Sequence, residues 1–92
     1  MANYIVSYDL NGPQPSHKQV DELLAELGAT RARVLETVWY VGWEGALDVL
    51  FESLDSLLGG EDSLMVVSAQ EGTWRNLLVD DKALAVSWGQ NR

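Results

Sequence analysis

Chemistry in this chain starts with Asp9, a carboxylate that ends the run Tyr4-Ile5-Val6-Ser7-Tyr8 and stands before Leu10-Asn11-Gly12-Pro13. Two roles fit a carboxylate there. Asp and Asn after a strand close turns through side chain to backbone hydrogen bonds. A hard divalent ion such as Mg²⁺ or Mn²⁺ also takes oxygen ligands, often one or two carboxylates plus waters. One Asp9 alone is too little for such a site. Ser7 lies two residues earlier on the same strand face and could position a metal-bound water. Asn11 could add a carbonyl ligand or close the turn. Glu36, Glu44 and Glu71 are the candidates for a second carboxylate.

Arg31 and Arg33 are two apart and share a strand face, where they could hold a phosphate backbone. Charges on an edge strand also blunt unwanted pairing, and that is the plainer use for them. His17, the single histidine, is expected to be solvated in the first turn of a helix, with no catalytic role. Trp39, Trp43, Trp74 and Trp88 could stack bases, but single-strand binders also need a positive groove. Packing in a core or an interface is the expected use of all four.

Charge bounds the function. Six Lys/Arg against fourteen Asp/Glu leave a net charge of −8, which makes the chain a poor generic nucleic-acid binder. With no Cys and one His, a disulfide scaffold and a structural zinc site are excluded. No stretch approaches the roughly 20 apolar residues of a membrane span. MANYIVSYDL has no basic segment followed by a long apolar run, so no signal peptide is expected and the cytoplasm is the expected compartment.

The elements that must position these residues follow from periodicity. Ninety-two residues suit one domain, 1–92, with a modest core. Tyr4 to Leu10 is predicted as a strand. Pro15-Ser16 opens a helix with Ser16 and Gln19 spaced as a capping box, Val20, Leu23, Leu24 and Leu27 inward, and Gly28 as its stop. Arg31 to Glu36 and Val38 to Trp43 are predicted strands, with a tight bend or bulge at Glu36-Thr37. After Gly45, Leu47, Leu50, Phe51, Leu54, Leu57 and Leu58 form the apolar stripe of a second helix, which Gly59-Gly60 ends. Ser63 to Ser68 is a fourth strand. A loop at Glu71-Gly72 and a short Trp74 to Val79 segment follow, and Leu84 to Trp88 is a candidate fifth strand. Strand, helix, strand, strand, helix, strand is the split βαβ order of a ferredoxin-like α+β fold.

The strands are apolar on both faces, and two helices of about 20 Å cover only one. The second face needs a cover as well. A second copy across a two-fold axis is the expected solution, with Leu84 to Trp88 adding to the partner's sheet edge. The alternative is that the tail folds back over its own sheet.

The start Tyr4-Ile5-Val6-Ser7-Tyr8-Asp9-Leu10-Asn11, then Leu27-Gly28, Glu36-Thr37-Val38-Trp39 and Asp62-Ser63-Leu64-Met65-Val66, resembles the Cas2 proteins of CRISPR adaptation. The nearer likeness is to the Cas2-like branch called the SinR family, which is similar in turn to VapD-type toxins. The likeness spans residues 4 to about 68, with a weaker echo at Trp74. It implies a ferredoxin-like homodimer whose C-terminal strand crosses to the partner. It also implies that Asp9 matches the acidic residue tied to a divalent metal at the dimer interface and, in some members, to nuclease activity. Two Asp9 across a two-fold axis would then hold Mg²⁺ or Mn²⁺. Three functions are carried forward: a metal-dependent nuclease with Asp9 and Ser7 in its site, a non-catalytic dimeric scaffold working through protein contacts, and a VapD-like toxin ribonuclease.

Overall fold

A computed structural model describes residues 2–91. The chain runs β1 (Ala2–Asp9), α1 (His17–Glu26), β2 (Thr30–Leu35), β3 (Val38–Trp43), α2 (Leu47–Asp55), β4 (Ser63–Ala69) and α3 (Asp81–Gln90). The fold is α+β, with the four strands in one antiparallel sheet of order β2-β3-β1-β4. β1 is a central strand, and β2 and β4 are the edges.

Register sets what each face carries. Val6 lies opposite Trp39 on one side and Val66 on the other, Tyr4 opposite Val41, and Tyr8 opposite Leu64. These side chains share a face, because strand neighbours alternate. Val20 and Leu24 of α1 and Leu50 and Leu54 of α2 pack onto it and form the larger core. The α2 stripe is only partly used: Leu50 and Leu54 are buried, while Leu47 and Phe51 stay exposed.

The start of α1 is local chemistry. Ser16 Oγ accepts from the Gln19 amide at 3.3 Å, and Gln19 Oε1 accepts from the Ser16 amide at 2.8 Å, so the expected capping box forms. Such a cap is worth about 1 kcal/mol. Gly28 follows the helix at φ 76°, a conformation that costs a side-chain-bearing residue more than glycine. A turn at Glu36-Thr37 joins β2 to β3, and the ladder is irregular between Arg33 and Leu35.

The C-terminal stretch corrects the sequence expectation. Leu84 to Trp88 is not a fifth strand but part of α3. A strand would place Leu84, Val86 and Trp88 on one side; instead Leu84 and Trp88 are buried and Val86 is 59% exposed. That is the helical i, i+4 pairing. Asp80 starts the helix, its Oδ2 accepting from the Ala83 amide at 3.2 Å. α3 lies over the second face of its own sheet, where Leu84 and Trp88 meet Val34 and Tyr40, with Ile5, Trp74 and Leu77 around them. The tail therefore covers this part of the face itself, the alternative to a second copy.

Buried polar contacts hold α3 in place. The Tyr40 hydroxyl donates to Asn3 Oδ1 at 2.6 Å, and Asn3 Nδ2 donates to the Trp88 carbonyl at 3.0 Å. Asn91 Nδ2 donates to the Tyr40 oxygen at 3.2 Å and to the Ser87 carbonyl at 2.9 Å. At the other end of this face the sheet stays open. Ser7 is half-buried, Asp9 is exposed, and Met65 and Val67 on edge strand β4 are 63% and 41% exposed.

Candidate functional site

Asp9 is the last residue of β1 and pairs across the ladder with Ser63; Ser7, on the same face, pairs with Met65 and with Val38. Ser7, Tyr8, Asp9, Ser63, Leu64 and Met65 line a shallow cavity of about 210 Å³. Its charged oxygen donor is the Asp9 carboxylate, with two serine hydroxyls beside it.

The turn role weighed for Asp9 falls to a different acid. Asp62 Oδ1 accepts from the Asn11 amide at 2.7 Å, and Asp62 Oδ2 accepts from the Gly59 amide at 2.8 Å. Asn11 Nδ2 donates to the Glu61 carbonyl at 2.8 Å, so Asn11 ties its loop to the segment before β4. The amides of Asn11 and Gly59, with a smaller contribution from Gly12, hold the Asp62 carboxyl below its ordinary range. Both Asp62 oxygens are thus engaged, although its neighbour Ser63 faces Asp9. Among the described residues no group of three or more His, Asp and Glu side chains is placed to hold a metal.

The expected arginines do not join Asp9. Arg31 lies opposite Val41 and Arg33 opposite Trp39, which puts both on the α1 and α2 face, across the sheet from Ser7 and Asp9. Arg31 Nε pairs with Asp21 Oδ1 of α1 at 3.0 Å. The Arg33 charge acts on the Tyr8 phenol. Ser7 with Asp9, and Arg31 with Arg33, therefore lie on opposite faces of the sheet.

A polar chain that sequence reasoning missed runs through Tyr8. Trp39 Nε1 donates to the Tyr8 oxygen at 2.7 Å, and the Tyr8 hydroxyl lies 2.6 Å from His17 Nδ1. Which of Tyr8 and His17 donates depends on the histidine tautomer, and the phenol oxygen has lone pairs for both neighbours. Burial pushes the Tyr8 phenol up; the Trp39 bond and the Arg33 charge pull partly against it. His17 is half-buried, not simply solvated as expected. The legible signal was the inward alternation of Tyr4, Val6 and Tyr8, which buries a hydroxyl that must find a partner.

The tryptophans pack as expected. Trp39 and Trp88 are buried, Trp43 is half-buried with Nε1 donating to the Leu27 carbonyl at 3.0 Å, and Trp74 is half-buried against Trp88. Among the described residues no helix is long and apolar enough to cross a membrane. Comparison of the chain with protein-family models, with curated proteins and with solved structures finds no match.

Proposed function

We propose that this chain is a Cas2-like protein of ferredoxin-like fold that serves as a non-catalytic scaffold working through protein contacts. The fold assignment is supported by the β-α-β-β-α-β order of the first six elements and by the sheet order β2-β3-β1-β4. One observation carries the functional choice: Met65 and Val67 stand 63% and 41% exposed on edge strand β4, an apolar strip suited to a protein contact, while the acid next to Ser63 spends both oxygens on backbone amides. Mg²⁺ takes one or two carboxylates plus waters, so Asp9 by itself is the minimum such a site could use. The net charge of −8 and the use of Arg31 on Asp21 also weigh against a phosphate backbone as partner.

A metal-dependent nuclease is the second reading, favoured by the exposure of Asp9 beside two serine hydroxyls in one cavity. It needs a homodimer that brings two Asp9 together through the open strip with Met65 and Val67. Mg²⁺ or Mn²⁺ held there would offset the like charges, polarise a phosphoryl oxygen and lower the pKa of a water. Ser7 and Ser63 would orient that water.

The test is cleavage of labelled single-stranded RNA, single-stranded DNA and duplex DNA with Mg²⁺, Mn²⁺ or EDTA, wild type beside Asp9→Ala, with light scattering of both proteins. The scaffold reading expects no metal-dependent cleavage of any substrate. Cleavage that needs the metal and disappears in Asp9→Ala would replace it with the nuclease reading.

A further inference from the structure

Far from Asp9, at the other end of the sheet, Glu71 lines three neighbouring cavities of about 310, 340 and 220 Å³. The smallest is the most apolar. Its floor is Ile5, Val34, Leu77 and Leu84, and its walls are Tyr40, Trp74 and Trp88. The Trp74 and Trp88 rings stand 5.6 Å apart at 36°, and Tyr40 stacks on Trp88 at 5.5 Å and 26°. Gly72 lets the chain pass against this wall: a Cβ there would lie 2.9 Å from the Trp88 ring.

The polar groups select the ligand. The Trp88 indole N–H is spent on the Gln70 carbonyl at 2.9 Å, and the Tyr40 hydroxyl is spent on Asn3. The side-chain donors left along the lining are the Trp74 indole N–H and the Thr73 hydroxyl, both neutral, and among the described residues no cationic side chain stands there to hold an anion. The charged side chain at the rim is Glu71, exposed and accepting only. An apolar, aromatic-walled cavity with one carboxylate at its mouth complements a cation with an apolar body. The net charge of −8 draws such a ligand in.

We propose that this cavity binds a small organic cation, an apolar or aromatic body bearing an ammonium group. The body lies against Trp74 and the aliphatic floor, and the ammonium meets the Glu71 carboxylate at the rim. The site is independent of Asp9 and of any cleavage.

Three probes of similar size test it: 2-phenylethylammonium, neutral 2-phenylethanol and anionic 3-phenylpropanoate. The readout is the indole N–H resonances of the four tryptophans, assigned with Trp74→Phe and Trp88→Phe. The ammonium should shift the Trp74 and Trp88 signals saturably and leave Trp39 and Trp43 in place. The alcohol should bind about tenfold more weakly and the carboxylate more weakly still. Glu71→Gln, an exposed change expected to keep the remaining spectrum, should weaken the ammonium by about tenfold. Equal binding of alcohol and ammonium, no effect of Glu71→Gln, or no shift of Trp74 and Trp88 at about 10 mM probe would each overturn the proposal.

Discussion

The Tyr8 hydroxyl sits 2.6 Å from His17 Nδ1, joining the end of β1 to the first turn of α1. The same oxygen accepts from Trp39 Nε1, which is buried in the core. Tyr8→Phe keeps the ring and removes both bonds. Trp39 then has a buried N–H without a partner, and the expected loss is about 1–3 kcal/mol of stability. His17→Ala should cost less, because water can reach the half-buried site. Urea unfolding midpoints at constant slope check the order. A larger loss in His17→Ala would mean that the helix contact, and not the indole N–H, dominates.

Alkaline pH should weaken the fold. Burial raises the Tyr8 and Tyr40 phenols; hydrogen bonds from Trp39 and Asn91 respectively, with the Arg33 charge at Tyr8, offset this in part. The folded chain keeps these protons where the unfolded chain has released them. The stability they contribute is complete below about pH 10 and is lost as pH rises through the folded values. Denaturation midpoints followed upward from about pH 8 should fall for the wild type and fall less steeply for Tyr8→Phe.

Acid acts through Asp62. The Asn11 amide first, then the Gly59 amide, depress its carboxyl. Its stabilisation is present above the unfolded aspartate value and is lost as pH falls through the folded one. Asp62→Ala should speed hydrogen exchange at the Asn11 and Gly59 amides, while Asp9→Ala should leave both protected. Equal exposure of these amides in Asp9→Ala would return the turn role to Asp9.

The helix over the second face should be costly to loosen. Trp88 is buried against Tyr40 and Trp74 and donates to Gln70, so Trp88→Ala should lose about 3–5 kcal/mol. Removing residues 81–92 uncovers Val34 and Tyr40 and should make the chain self-associate in light scattering. A shortened chain that stays monomeric with an unchanged Tyr40 environment would contradict the account of α3 as the cover.

Gly42 is held by close approach. A Cβ there would meet Asn91 Nδ2 at 2.5 Å and the Tyr40 oxygen at 2.8 Å. Gly42→Ala should cost about 1–3 kcal/mol through overpacking. In an Asn91→Ala background the same change should cost less, and the shortfall from additivity in a double-mutant cycle measures the clash.

Where neighbours in sequence are neighbours in space, the chain was legible. The Ser16–Gln19 capping box needs four consecutive residues, and it formed. β1, β3 and β4 were visible as β-branched and aromatic runs between turn residues. α3 was not, because Ala83-Leu84-Ala85-Val86 has no clean period and only Leu84 and Trp88 are buried within it. The better signal was Asp80, a capping residue before Asp81. Asp9, Ser7, Arg31 and Arg33 could be placed on strands, but not on the two faces they occupy relative to one another.

Sequence alone determined the strand and helix order through β4, the two-sided apolar sheet and the acidic surface. These follow from side-chain type and period, which are properties of short windows. Tertiary structure decided who covers the second face, because apolar pattern demands a partner without saying which chain provides it. It also decided that Asp62, 51 residues from Asn11, holds the first loop, and that the Tyr8 hydroxyl is shared between Trp39 and His17. A hydrogen bond selects its partner by distance and angle in space, and those are set only once the whole sheet has packed.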